Sequence, residues 1–93
     1  MEGLSLDSTV ARNAEIVTAD MEGETVMMSI ENGKYYNLGK MGTVIWGLLE
    51  NPLTVEALIC KLLDVYDVER ERCERETLSF LRDLLREGIV AVR

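Results

Sequence analysis

The sequence predicts an α+β domain of winged helix-turn-helix-like layout, with a three-stranded antiparallel sheet followed by three helices. Three observations carry this. Residues 15–38 hold the short runs Glu15–Ala19, Thr25–Ile30 and Lys34–Leu38, which read as strands, and turn residues separate them at Met21-Glu22-Gly23-Glu24 and at Asn32-Gly33. Residues 40–87 switch to helical spacing, interrupted at Asn51-Pro52 and at Asp67. Ninety-three residues, 47% of them apolar, suffice for one core and not for two.

In chain order, residues 1–13 show no periodicity and read as a loose N-terminal arm, with a single domain over 14–93. The first strand is expected over Glu15–Ala19. The second covers Thr25–Ile30, with Val26, Met28 and Ile30 on one face and Met27 and Ser29 on the other. Asn32-Gly33 suits a two-residue type I′ hairpin, because both central positions need φ > 0. That turn sets Glu31 opposite Lys34, Ile30 opposite Tyr35, Ser29 opposite Tyr36 and Met27 opposite Leu38. The Lys34–Leu38 strand is then last in the meander and lies at an edge.

Gly42, Ile45, Trp46 and Leu49 predict a first helix over Lys40–Leu49, which must stop before Asn51-Pro52 because proline disfavours helix at the preceding residue. Thr54 is a natural N-cap for a second helix, whose stripe is Leu58, Ile59, Leu62, Leu63 and Tyr66. A third helix is expected from Glu69 to Glu87. Its opening Glu/Arg alternation reads as surface ion pairs worth about 0.2–0.5 kcal/mol each. Gly88 suits a left-handed C′ residue that lets Ile89 fold back on Leu84, after which Ile89–Val92 leaves as a short extended tail.

At 100° per residue the buried centre of the third helix holds Cys73, Thr77, Leu81 and Leu84, with Phe80 about 60° to one side and Leu78 and Leu85 about 80–100° to the other. So wide an arc means either that the helix is embedded on two sides or that one flank lines an open groove.

Function classes fall away quickly. A chain without histidine, with its carboxylates spread over charge-paired helices, lacks the usual acid–base apparatus. Gly39, Gly42 and Gly47 are too scattered for a phosphate loop, and Lys40 has no Walker spacing. No serine has a nucleophile-elbow context, and Asp20, Glu22 and Glu24 do not form an EF-hand loop. Cys60 and Cys73 read as two small buried hydrophobes, since a zinc site needs four closely placed ligands. No enzyme activity and no cofactor are expected.

The net charge of −7, from 17 acidic and 10 basic residues, repels a phosphate backbone. A winged-helix DNA-binding regulator is the rival reading. Its helix would carry Arg70, Arg72, Arg75, Arg82 and Arg86, but these are interleaved with Glu69, Glu71, Glu74, Glu76, Asp83 and Glu87. No apolar run reaches the roughly 18 residues that cross a bilayer, and Met-Glu-Gly-Leu-Ser-Leu-Asp has no export-signal pattern, so a cytoplasmic setting is expected. Binding remains. An edge strand offers unpaired N–H and C=O groups to an incoming strand, and here Lys34 is its one gatekeeper. The same edge could instead serve dimerisation, so a monomer or an edge-mediated dimer is expected.

The segments Gly33-Lys34-Tyr35-Tyr36-x-Leu38, Gly42-x-x-Ile45-Trp46-x-Leu48-Leu49 and Thr54-Val55-Glu56-x-Leu58 together resemble the PqqD-like family, the recognition elements of ribosomally made, modified peptides. Tyr66-Asp67, Phe80-Leu81-x-x-Leu84 and Gly88-Ile89-Val90 extend the resemblance over about residues 14–92. Gly39 departs from it, since the family commonly has Asn there.

The resemblance implies a non-catalytic domain that holds a precursor's leader segment as an added strand, in the cleft between the third strand and the third helix. The matching positions are Lys34, Tyr35, Tyr36, Asn37 and Leu38 on the strand. On the helix they are either the Leu78, Arg82, Leu85 flank or the Phe80 flank, which the sequence leaves undecided. Size, acidity and the Tyr-Tyr strand are most similar to the stand-alone recognition proteins of lasso-peptide pathways. Those work with a leader peptidase (a cysteine protease) and an ATP-dependent cyclase. A pyrroloquinoline-quinone-type chaperone serving a radical enzyme is the alternative within the family.

Overall fold

The computed structural model describes residues 4–29 and 33–93. The elements run β1 Thr9–Arg12, β2 Ile16–Met21, β3 Glu24–Ser29, β4 Lys34–Asn37, α1 Gly39–Leu48, β5 Leu53–Thr54, α2 Val55–Val65, α3 Arg70–Arg86 and β6 Val90–Val92. The layout is α+β and winged-helix-like, with three helices and the expected β2-β3-β4 meander. A second three-stranded sheet, ordered β5-β1-β6, was not expected.

That second sheet corrects the reading of the N-terminus. Residues 9–12, expected within a loose arm, form the central strand β1, paired antiparallel with β5 and β6. Val10 is fully buried and Ala11 nearly so. The preceding residues also work structurally: the Ser8 and Leu6 carbonyls accept the Val55 and Glu56 N–H groups, two of the donors that a helix start leaves without intrahelical partners. The tail after Gly88 is likewise a strand, β6. A four-residue strand whose partners lie in mid-chain and at the far end leaves no local periodicity to read.

The helices follow their sequence signals closely. The Thr54 side chain accepts the Ala57 N–H at 3.1 Å and caps α2. Gly88 takes φ +77°, the Ile89 N–H bonds the Leu84 carbonyl at 2.9 Å and the Gly88 N–H bonds that of Leu85 at 3.1 Å, a Schellman stop. On α3 the buried residues are Cys73, Thr77, Leu81 and Leu84, the predicted centre. They pack with Ile45, Trp46 and Leu49 of the α1 region, Leu58, Ile59 and Leu62 of α2, and Met27 of β3. Cys60 is exposed, contrary to expectation, because it lies one step off the α2 stripe.

The β3–β4 register also differs from expectation. Ser29 pairs with Lys34, Met28 with Tyr35, Met27 with Tyr36 and Val26 with Asn37. The connection is therefore four residues long, not two. Ile30, expected to end the second strand, and Glu31 and Asn32 of the expected turn lie outside the described residues. Because the register shifts by two, every side chain of β4 keeps its expected face.

Candidate functional site

β4 pairs with β3 on one side and with no described strand on the other, so the predicted edge is an edge. Its free backbone groups follow from the ladder. The Leu38 N–H donates to the Thr25 carbonyl at 3.1 Å. Antiparallel pairs alternate between hydrogen-bonded and non-bonded, so Tyr36 and Lys34 exchange bonds with β3. Tyr35 and Asn37 therefore turn their N–H and C=O groups to the open side.

The side chains divide by the pleat. Tyr35 points outward and is 74% exposed, whereas Tyr36 points inward and donates its hydroxyl to Glu87 Oε1 at 2.8 Å. Lys34 Nζ lies 3.8 Å from the same carboxylate oxygen. Asn37 Oδ1 accepts the Gly39 N–H at 2.9 Å, which closes the strand into α1. Gly39 itself has φ +71°, a left-handed conformation that glycine adopts freely and asparagine tolerates. The departure from the family pattern therefore preserves the backbone requirement. Thr43 ties the sheet to this helix start: its hydroxyl donates to the Gly39 carbonyl at 2.6 Å and accepts the Thr25 N–H at 2.7 Å.

Beneath β4 lies one flank of α3. A Cβ built on Gly42 would stand 2.9 Å from Phe80 Cζ and 2.6 Å from Leu38 Cβ, so Phe80 closes directly on α1 beside the end of β4. Glu87, seven residues on and hence on the same helix flank, reaches the start of β4. The structure thus brings Lys34, Tyr36, Leu38 and Phe80 together, with Tyr35 and Asn37 along the rim. Leu78, Arg82 and Leu85 lie roughly 140–200° around the helix from Phe80 and are not brought to the strand. They line or adjoin a separate surface: Leu78 and Arg82 border a hollow with Glu71, Glu74 and Arg75.

The sheet's other edge, β2, has no such floor. Its inward-facing Thr18 and Asp20 are both exposed. A strand adding there would meet solvent beneath it, and Asp20 opposes such pairing.

Sequence reasoning did not single out Glu87 or the packing role of Gly42. The heptad spacing from Phe80 to Glu87 was a usable signal for the first. Nothing short of the tertiary contact points to the second.

Charges elsewhere on α3 are largely paired among themselves or with α2. Arg70 binds both oxygens of Glu56 at 2.7 Å and lies 3.6 Å from Glu74, while Arg72 meets Glu76 and Arg86 meets Asp83. The hydrogen bond from Arg70 holds the Glu56 carboxyl below its usual range. With Arg70, Arg72 and Arg86 so engaged, the helix is a poorer phosphate reader. Among the described residues no group of histidine, cysteine or acidic side chains could hold a metal ion. No described helix is long and apolar enough to cross a membrane.

Comparison with known proteins bears on the family and the fold. The family model described as coenzyme PQQ synthesis protein D (PqqD) matches residues 24–90, from β3 into β6. A solved structure of TbiB1 in complex with the TbiA(beta) leader peptide superposes with a TM-score of 0.79 at 29% identity, over 86% of this chain and 93% of that one. A lasso peptide synthetase B1 complexed with the leader peptide gives 0.71 at 21% identity, over 88% and 96%. At that identity the second speaks for the fold alone. No match is found among curated proteins.

Proposed function

The chain belongs to the PqqD family, and from that premise we propose that it binds the leader segment of a ribosomally made precursor by adding it as a fourth strand beside β4. In this reading it presents that segment to a leader peptidase in lasso peptide biosynthesis. The observation that carries the proposal is an open edge with a floor: Tyr35 and Asn37 offer main-chain groups outward, above Phe80 of α3 and Glu87 at its C-terminal end. TbiB1, of similar fold, has been solved with a leader peptide.

The guest's backbone bonds Tyr35 and Asn37. Its inward side chains, every second residue, rest on Leu38, Tyr36 and Phe80. The net charge of −7 favours a guest with basic residues and raises its rate of encounter. The chain itself does no chemistry in this scheme. A cysteine protease removes the leader and an ATP-dependent cyclase closes the product, in the cytoplasm where the precursor is made.

Asn37→Pro tests strand addition. The Asn37 N–H faces the guest and not β3, so proline there removes one bond to the guest and leaves the β3 ladder intact. Fluorescence anisotropy with the labelled leader of the cognate precursor should show affinity weakened about fivefold or more. Circular dichroism should stay that of the parent. Parent-like affinity in the folded variant overturns strand addition at β4.

A further inference from the structure

Most charges on α3 are paired within the chain. Arg70 meets Glu56 and Glu74, Arg72 meets Glu76, and Arg86 meets Asp83. Glu71, Arg75 and Arg82 have no ion pair among the described residues. This holds although Glu71 and Arg75 stand one helical turn apart, the spacing of a favourable pair. All three border one hollow of about 340 Å³, together with Leu78 and Glu74. Glu71, Arg75, Leu78, Arg82 and Leu85 recur every three or four residues and span about 80° of arc on the helix. That is the mean spacing, roughly 3.5 residues, at which two helices lie along one another. Leu78 and Leu85 are half-buried, and the three unpaired charges are exposed.

We propose that this flank of α3 pairs antiparallel with the same flank of a second copy of the chain, about a two-fold axis. The charges of the stripe are complementary to themselves. Glu71 lies toward one end, and Arg82 stands about 16 Å further along the helix. Turning a second helix end for end brings its Arg82 level with Glu71, and the symmetry repeats that contact on the other side of the axis. The same register sets Arg75 level with Leu78 of the second copy, because the two residue pairs share one midpoint. The two Leu78 side chains then meet at the axis, beneath the aliphatic stems of Arg75, whose guanidinium groups extend into water.

Other occupants fit less well. A wholly acidic segment of another protein would suit Arg75 and Arg82 but set Glu71 against like charge. A parallel pair of copies would set Glu71 beside Glu71 and Arg82 beside Arg82. The antiparallel pair is small: α3 has 17 residues, about 26 Å, and is about 10 Å across, so two copies bury less than the 1,200 Å² or so of a stable complex. The charge of −7 on each copy also opposes association, although groups more than about 8 Å apart are screened at physiological salt. The dimer is therefore a weak one, with Kd on the order of 100 μM. It leaves β4 open, since Phe80 and Glu87 lie on the opposite flank, and it does not depend on strand addition.

Sedimentation velocity on the full chain tests the pairing. The parent should associate reversibly as its concentration rises from about 10 to 500 μM. Arg82→Glu or Glu71→Arg alone sets like charges together at both symmetric contacts, so each variant should associate about tenfold or more weakly. In an equimolar mixture of the two variants, each glutamate of one faces an arginine of the other. The mixture should associate within about threefold of the parent. Both positions are exposed and unpaired, so circular dichroism should stay parental. A parent that stays monomeric to about 500 μM overturns the proposal. So do variants that associate like the parent, which would place any dimer elsewhere, for instance at β4. A mixture of folded variants that shows no recovery overturns it as well.

Discussion

Replacing Gly42 by alanine sets two effects of opposite sign against each other. Inside an exposed helix the change stabilises by about 0.5–1 kcal/mol, since glycine loses the most backbone entropy on folding. Gly42 is buried, however, and its new methyl group would stand 2.6 Å from Leu38 Cβ and 2.9 Å from Phe80 Cζ. The Phe80 ring can tilt, at the expense of its seat on α1. Leu38 Cβ is fixed to the backbone at the start of α1 and cannot yield without moving that turn. Overpacking of this kind costs about 1–3 kcal/mol.

The net expectation is destabilisation of about 1 kcal/mol, or about 4–8 °C in Tm for a domain of this size. Urea titration followed by Trp46 fluorescence should show a lower midpoint at unchanged m. Gly47→Ala is the internal control: the same helix, nothing within 4 Å, and therefore a gain of about 0.5–1 kcal/mol. A Gly42→Ala midpoint at or above the parent's would refute the close α1–α3 approach that seats Phe80 beneath β4.

Two further perturbations probe the same frame. Tyr36→Phe deletes the 2.8 Å hydrogen bond to Glu87, and at this half-buried position should cost about 1 kcal/mol in the same titration; no change would mean that the bond is not maintained in solution. Glu56→Gln removes the carboxylate that Arg70 holds below the ordinary 4.5. A carboxyl lowered on folding contributes in full above its unfolded pKa and loses that contribution as pH falls through the folded value. The parent's advantage over Glu56→Gln should therefore be flat above about pH 5 and close on acidification below 4.5. A gap that widens on acidification would contradict the pairing.

Much of this architecture was legible because local and tertiary preferences agree. The α3 centre, Cys73-Thr77-Leu81-Leu84, follows from helical pitch alone, and Thr54 and Gly88 mark helix ends by their backbone chemistry. The expected sharing of faces, Tyr36 with Met27 and Tyr35 with Met28, survived a wrong register because the error was two residues and the pleat repeats every two. What stayed hidden was non-local. β1 has two apolar residues and no alternation, and it is a strand because β5 and β6 arrive on either side of it. Which flank of α3 lies toward β4 was ambiguous for a related reason. Phe80 and the Leu78/Leu85 pair have equal apolar standing in the sequence, and only the contact across Gly42 distinguishes them.

The proposed site must accept a guest without accepting its own twin, and magnitudes suggest how. The open edge offers two donors and two acceptors, from Tyr35 and Asn37. At about 1 kcal/mol net per hydrogen bond these sum to roughly 4 kcal/mol, which corresponds to a Kd of about 1 mM. Backbone pairing alone is thus too weak to hold anything at cellular concentrations. A second β4 brings Lys34, and a molecule of charge −7, against a like surface, so self-pairing stays below even that level. A guest rises above it only by laying side chains on Phe80, Leu38 and Tyr36, where burying one large apolar group contributes about 1.5–3 kcal/mol. On these numbers β4 sets where the guest lies, and the α3 flank decides which guest stays.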